Sequence, residues 1–222
     1  MHLFLGLPMA LCALSLVSAA PLLELLKDMQ DPAFQNAVEN GQSLINRILI
    51  SIPAVHKSWI QSESLSFDSS DSGKLEYLKG VINLPAAPVL KTLSDDTLGA
   101  CLSQIAEGLK LHKTLLTVVS DLRTTKSEKV NLLLHDIRDL LPQIHKMQKL
   151  IKVANVPEEE AVSKSHLQAD LKSRVTDEYL SQVAAHLTLL QLQKFGQDVS
   201  RSLRSMVTST ADSVSQTTGG TP

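Results

Sequence analysis

Asp95 to Leu122 reads DDTLGACLSQIAEGLKLHKTLLTVVSDL. Leu98, Leu102, Ile105, Leu109, Leu116 and Val119 recur in it at steps of three, four or seven, so they line one face of a helix. Asp95 or Asp96 offers an N-cap oxygen and a negative charge to the first free amides. The stretch reads as one amphipathic helix of about seven turns. It also carries Cys101, one of only two cysteines in the chain.

The other cysteine, Cys12, falls in Met1 to Val17, an apolar run with no charged side chain. Ser18, Ala19 and Ala20 follow, then Pro21. Small residues closing a short apolar run fit a secretory signal peptide, here residues 1–20, with cleavage after Ser18 or Ala19 also open. The run falls short of the roughly 20 residues that a membrane span needs. No later segment is apolar enough to span either, so the mature chain is expected to be extracellular and not membrane-inserted. Cys12 leaves with the signal peptide and Cys101 is left without an intrachain partner. A lone cysteine in a secreted chain is either a free thiol or an interchain bridge. The reading favours a buried free thiol, because cysteine packs as a small hydrophobe.

Composition narrows the class. About 200 mature residues suffice for one core. The net charge of -2 gives no field that would gather nucleic acid. Aromatic residues are 3% of the chain, too few for a base-stacking surface. Leucine is abundant and Gly and Pro are sparse, which favours helices. No Asn-X-Ser/Thr sequon occurs and no internal repeat is visible.

Four long helices are expected, over about 32–61, 95–122, 127–153 and 176–207. The first has a stripe of Phe34, Val38, Gly41, Leu44 or Ile45, Ile48, Ile52 and Val55, and Pro53 should kink or end it. A short amphipathic piece, Leu22 to Met29, precedes it. Ser62 to Ser94 is a long polar link with room for a short helix at Lys74 to Ile82. Ser127 opens the third helix without the glutamate of a full capping box. Leu133, Ile137, Leu140, Ile144, Met147 and Ile151 make the stripe, and Pro142 lies inside it. Val175, Tyr179, Val183, Leu187, Leu190, Phe195, Val199, Leu203 and Met206 mark the last helix. Residues 208–222 are rich in Ser, Thr and Gly and are expected to be a disordered tail.

Linker lengths bear on topology. Only Arg123 to Lys126 separate the second and third helices, so these must be antiparallel neighbours. The first link is long enough to return along a helix of about 42 Å. A 12-residue link reaches about 40 Å at most. If the third connection crosses over too, the last core helix starts near Thr176, with His166 to Arg174 in the crossover or a side helix. Two long crossovers flanking a short turn define an all-α, long-chain four-helix bundle, up-up-down-down, over residues 21–207.

Four segments carry a resemblance. Gly99-Ala100-Cys101-Leu102-Ser103-Gln104, followed by Gly108-Leu109 and Leu115-Leu116, resembles the second helix of the granulocyte colony-stimulating factor family, which opens with Gly-Cys-Leu-Ser-Gln. Leu84 to Pro88 (LPAAP) is similar to that family's Ile-Pro-Trp-Ala-Pro in the first crossover, with Ala86 in place of tryptophan. Leu133 to Leu140 (LLHDIRDL) resembles its Leu-Gln-Leu-Asp-Val-Ala-Asp-Phe. Leu192-Gln193-Lys194-Phe195, then Arg201, Leu203 and Arg204, resemble its last helix.

The resemblance implies a secreted growth factor of the interleukin-6 superfamily that binds a class I cytokine receptor. Two faces would assemble a 2:2 complex, from a free ligand that is a monomer, and drive granulocyte-lineage proliferation, differentiation and survival through receptor-associated kinases. On the first face, Asp136 and Asp139 match two acidic contacts of the third helix, with Glu39 matching an acidic contact of the first and Asn40 beside it. On the second face, Tyr179 matches a phenylalanine of the last helix, and Glu76 and Tyr77 fall near a glutamate and a leucine of the first crossover. Spacing alone reads Asp136 and Asp139 as solvated surface projecting from one side of their helix. The family also uses two disulfides, one of them anchored at the Cys101 position. Its partner would lie near Lys91 or Thr92, and neither is cysteine. A lost disulfide commonly costs about 2–5 kcal/mol, which core packing would have to offset.

Rival classes fit less well. His112, His135, His145 and His186 show no metal-ligand spacing, and no nucleophile motif, phosphate loop or zinc-type cysteine pair appears, so neither an enzyme nor a metal or other cofactor is expected. An apolipoprotein would need Pro-punctuated helical repeats with a basic-rimmed apolar face, and the repeats are missing. Another interleukin-6-type cytokine is the nearer alternative.

Overall fold

The computed structural model describes residues 27–66, 72–91, 97–124, 127–152 and 164–217, with side chains described from 75 in the second of these segments and to 207 in the last. The expected signal peptide, residues 1–20, lies outside them. Among the described residues the chain is all-helical. Its elements are α1 (Pro32–Trp59), α2 (Ser72–Ile82), α3 (Leu98–Leu122), α4 (Glu128–Leu150), α5 (Lys164–Arg174) and α6 (Glu178–Thr217). A further short turn of helix covers 27–29.

α1 begins where its sequence says. The Asp31 carboxylate accepts from the Ala33 amide at 2.7 Å, and Pro32 takes the first position, where its missing N–H costs nothing. The helix continues through Pro53 to Trp59. Burial of Val55 and Trp59 beyond the proline offsets the roughly 3 kcal/mol that an interior proline costs. α4 likewise runs through Pro142 and buries Ile144 and Met147 past it.

Several ends differ from the sequence reading. α3 starts at Leu98 with Thr97 as N-cap and no side-chain cap bond, and Asp95 and Asp96 lie outside the described residues. Ser127 gives α4 no side-chain cap; its hydroxyl is 3.2 Å from that of Ser58. α6 is capped by the Asp177 carboxylate, which accepts from the Leu180 amide at 2.8 Å. α6 then runs to Thr217, past Val207, so the backbone over 208–217 is helical where the sequence reading places a disordered tail. Neither Gly nor Pro occurs between Gly196 and Gly219, so nothing local stops propagation of an established helix. Residues 218–222 lie outside the described residues.

One hydrophobic core joins the long helices. α1 packs on α4 and α6, and α3 packs on the same two. Contacts fall in opposite numerical order along α1–α6 and along α1–α4. Gln42 donates to the Leu203 carbonyl at 3.0 Å, while the amides of Gln61 and Ser62 both donate to Gln182 Oε1 at 2.9 Å. Arg47 meets Asp136, and Ser58 meets Ser127. Gln148 donates to Ser103 Oγ at 3.2 Å, and Arg123 pairs with Glu178.

The first crossover is strapped to this core. Asn83, at φ 47°, turns the chain out of α2 in the left-handed conformation that asparagine tolerates. Arg174 then holds the carbonyls of Ile82 and Asn83 at 3.1 Å each, and Gln191 holds that of Pro85 at 2.9 Å. Residues 181–189 of α6 are buried on every side, and α6 packs on α1, α3 and α2.

Candidate functional site

Two surfaces collect the residues singled out in the sequence. The first lies along α1 and α4. Asp136 and Asp139 stand one turn apart on α4, beside the buried Ile137 and Leu140. Asp136 is 15% exposed, and its Oδ1 accepts from Arg47 Nη2 of α1 at 2.5 Å. That hydrogen bond and the charge behind it hold the Arg47 guanidinium above its ordinary pKa, with Asp139 adding a weaker pull. Asp139 is exposed and, among the described residues, forms no ion pair or hydrogen bond. Glu39 and Asn40 are exposed on α1, with Asn40 two turns before Arg47 on the same side.

Two residues of this surface escaped the sequence reading. Ile50 is 79% exposed one turn after Arg47, and Leu132 is 59% exposed one turn before Asp136. Isolated exposed apolar residues are ordinary. Here one stands on each of two packed helices, within a turn of the ion pair that joins them. The available signal was an excess of apolar residues over what the buried stripe needs. Ile48-Leu49-Ile50 and Leu132-Leu133-Leu134 each supply three in a row where a helix face uses one or two.

The second set of residues lies on two elements, Tyr179 at the start of α6 and Glu76 and Tyr77 on α2. Tyr179 is half-buried in the first turn of α6. Glu76 and Tyr77 are exposed on α2, which packs on α6, and Glu76 pairs with Lys79 at 3.0 Å. Beside Tyr179, Glu178 accepts from Thr124 Oγ1 at 3.1 Å and stands 3.3 Å from Arg123 Nη2. The Arg123 guanidinium is buried and lies 5.7 Å from the centre of the Trp59 ring. Burial lowers its pKa, and Glu178 pulls the other way. This group ties the C-terminal ends of α1 and α3 to the start of α6, and sequence spacing gives no hint of it.

Between these surfaces lies the buried core. Cys101 is buried and free, and burial pushes its thiol pKa up. His112 is fully buried, with Nδ1 2.7 Å from the Gly108 carbonyl and its ring stacked on Phe195 at 5.1 Å. Burial holds its pKa down at about 4. His186 also falls to about 4, through burial and then the neighbouring His56, whose Nε2 is 2.9 Å from His186 Nδ1.

Among the described residues no cluster of His, Cys, Asp and Glu could hold a metal ion, and no helix is long and apolar enough to cross a membrane. No protein-family model matches the chain, and no curated protein matches it.

Proposed function

We propose that the chain is a secreted helical cytokine of the granulocyte colony-stimulating factor type, which brings two class I receptors together and activates the kinases bound to them. The observation that carries this reading is the α1–α4 surface. It combines an exposed carboxylate at Asp139, the Arg47–Asp136 pair and two exposed apolar residues, Ile50 and Leu132. An apolar centre with a charged rim is how protein partners are recognised, whereas a catalytic site needs a cleft with convergent polar groups. Asp136 and Asp139 are also the residues that the resemblance assigns to the first receptor face.

The up-up-down-down topology belongs to the same proposal. It is supported by the opposed order of contacts along α1–α4, α1–α6 and α3–α6 and by the short link from α3 to α4. With α4 and α6 each opposed to both α1 and α3, α1 and α3 point one way and α4 and α6 the other. The second face is formed by Tyr179 of α6 with Glu76 and Tyr77 of α2. Secretion rests on the apolar run before Pro21.

The test is to add the mature chain to cells bearing a granulocyte colony-stimulating factor receptor and to measure phosphorylation of the receptor-associated kinase. A dose-dependent rise is expected. No signal there, with a signal in cells bearing an interleukin-6-type receptor, would move the chain to that branch. No signal in either, together with clearing of lipid vesicles, would favour a lipid carrier.

A further inference from the structure

Asp136 and Asp139 are the same residue type one turn apart, and the fold treats them differently. The Asp136 carboxylate is mostly covered and already holds a cation, with Arg47 Nη2 at 2.5 Å from Oδ1. Asp139 is open to solvent and, among the described residues, forms no hydrogen bond or ion pair, with only a weak charge pull on Arg47. A cationic side chain arriving from a partner would meet the charge of Arg47 before it reached Asp136, because Arg47 is 58% exposed. Like charges across a forming interface oppose it. At Asp139 the same cation meets a carboxylate ready to accept a charge-assisted hydrogen bond.

We propose that Arg47 masks Asp136, so that Asp139 is the carboxylate that receives the partner's arginine or lysine on this face. This rests on the receptor-ligand reading above and sharpens it, for the resemblance treats the two aspartates alike. Ile50 and Leu132, within one turn of the masked pair, supply apolar area around it. The partner that fits is a protein surface with one cationic side chain set among apolar ones.

The experiment is titration calorimetry with the receptor's extracellular region, using the wild type, Asp139→Asn, Asp136→Asn, Arg47→Ala and the double variant Arg47→Ala with Asp139→Asn. Circular dichroism checks that each is folded. Asp139→Asn should weaken binding about tenfold or more, the loss of one charged hydrogen bond. Asp136→Asn leaves the Arg47 charge without its partner and should weaken binding about two- to fivefold. Arg47→Ala should tighten binding about two- to fivefold, the range for an exposed pair. The double variant should recover part of the Asp139→Asn loss, since Asp136 is then unmasked. Equal losses for the two aspartates, weaker binding by Arg47→Ala, or no recovery in the double variant would overturn the inference.

A wild type that does not bind any such receptor would overturn the receptor reading instead. The mask is then read without a receptor, from NMR of the Arg47 guanidinium. Rotation about its C–N bonds should be restricted in the wild type and in Asp139→Asn, and free in Asp136→Asn. Free rotation in the wild type would dispose of the mask.

Discussion

At the α3–α6 contact, Gly108 leaves room for Phe195, whose ring would lie 2.2 Å from a β-carbon there, and the same ring stacks on the buried His112. At the outer edge of the α1–α4 contact, Arg47 reaches over to Asp136, and Ile50 and Leu132 are left in water. Both contacts join long helices on one core. The first is dry and closely fitted, so its residues are fixed by shape. The second is wet at its rim, so the residues there contribute little to holding the fold and are free to serve a partner. Under the proposed function, stability and recognition divide between the two contacts.

The largest effect that tests this division is at Phe195. Phe195→Ala should cost about 3–5 kcal/mol, because the ring is buried and no neighbour can fill its place. The midpoint of urea unfolding reads it, and a loss below about 1 kcal/mol would mean that the contact is loosely packed.

The next effect is a pH dependence set by His112. The fold holds its pKa at about 4 against the ordinary 6.5, so the folded state favours the neutral ring. Its contribution is complete above pH 6.5. It is lost as pH falls from 6.5 to 4, where the unfolded chain binds a proton that the folded chain refuses. At 1.36 kcal/mol per unit this amounts to about 3 kcal/mol. Only the Gly108 carbonyl acts against burial at this ring, and no carboxylate of α3, α4, α5 or α6 contributes. His186, also buried, adds in the same direction. Melting temperatures between pH 7 and 4 should fall steeply in the wild type and less steeply in His112→Phe, which keeps the stacking. Equal slopes would remove His112 from the account.

The smallest effect lies at the other contact. Arg47→Ala should change stability by less than about 1 kcal/mol, as expected for a pair whose arginine is largely exposed. A loss of several kcal/mol in the same urea experiment would make Arg47 part of the structural frame and break the division.

The two regions also differ in how much of them the sequence disclosed. The dry contact was largely legible. Leu102, Ile105, Leu109, Phe195, Val199 and Leu203 are all buried, because a helix repeats every 3.6 residues whatever it packs against. Cys101 could be placed among them for the same reason. Both helices were expected to run past their prolines and do so, since the cost of Pro53 and Pro142 is local and the burial beyond each is tertiary. The lone cysteine has a structural counterpart that no spacing rule predicts. Gln104 Oε1 accepts from the Lys91 amide at 2.9 Å, so a hydrogen bond fastens the crossover to α3 where the resemblance would put a disulfide.

The wet contact was legible only in part. Asp136 and Asp139 could be set on one side of a helix by their spacing. Their inequality could not, because it depends on Arg47, 89 positions earlier in the chain. The buried Arg123 over Trp59 was invisible for the same reason, being brought together by the ends of two helices. Periodicity reports which face of an element is covered. It does not report which distant side chain covers it.

The proposed function requires a ligand with two receptor faces, one along α1 and α4 and one at Tyr179 of α6 with Glu76 and Tyr77 of α2. The most direct measurement is the mass, by multi-angle light scattering, of the mature chain mixed with an excess of the receptor's full extracellular region. The account predicts a 2:2 complex that falls to 1:1 when Tyr179 and Tyr77 are replaced by alanine. A mixture that elutes as separate ligand and receptor, or a 2:2 complex that both replacements leave intact, would contradict it.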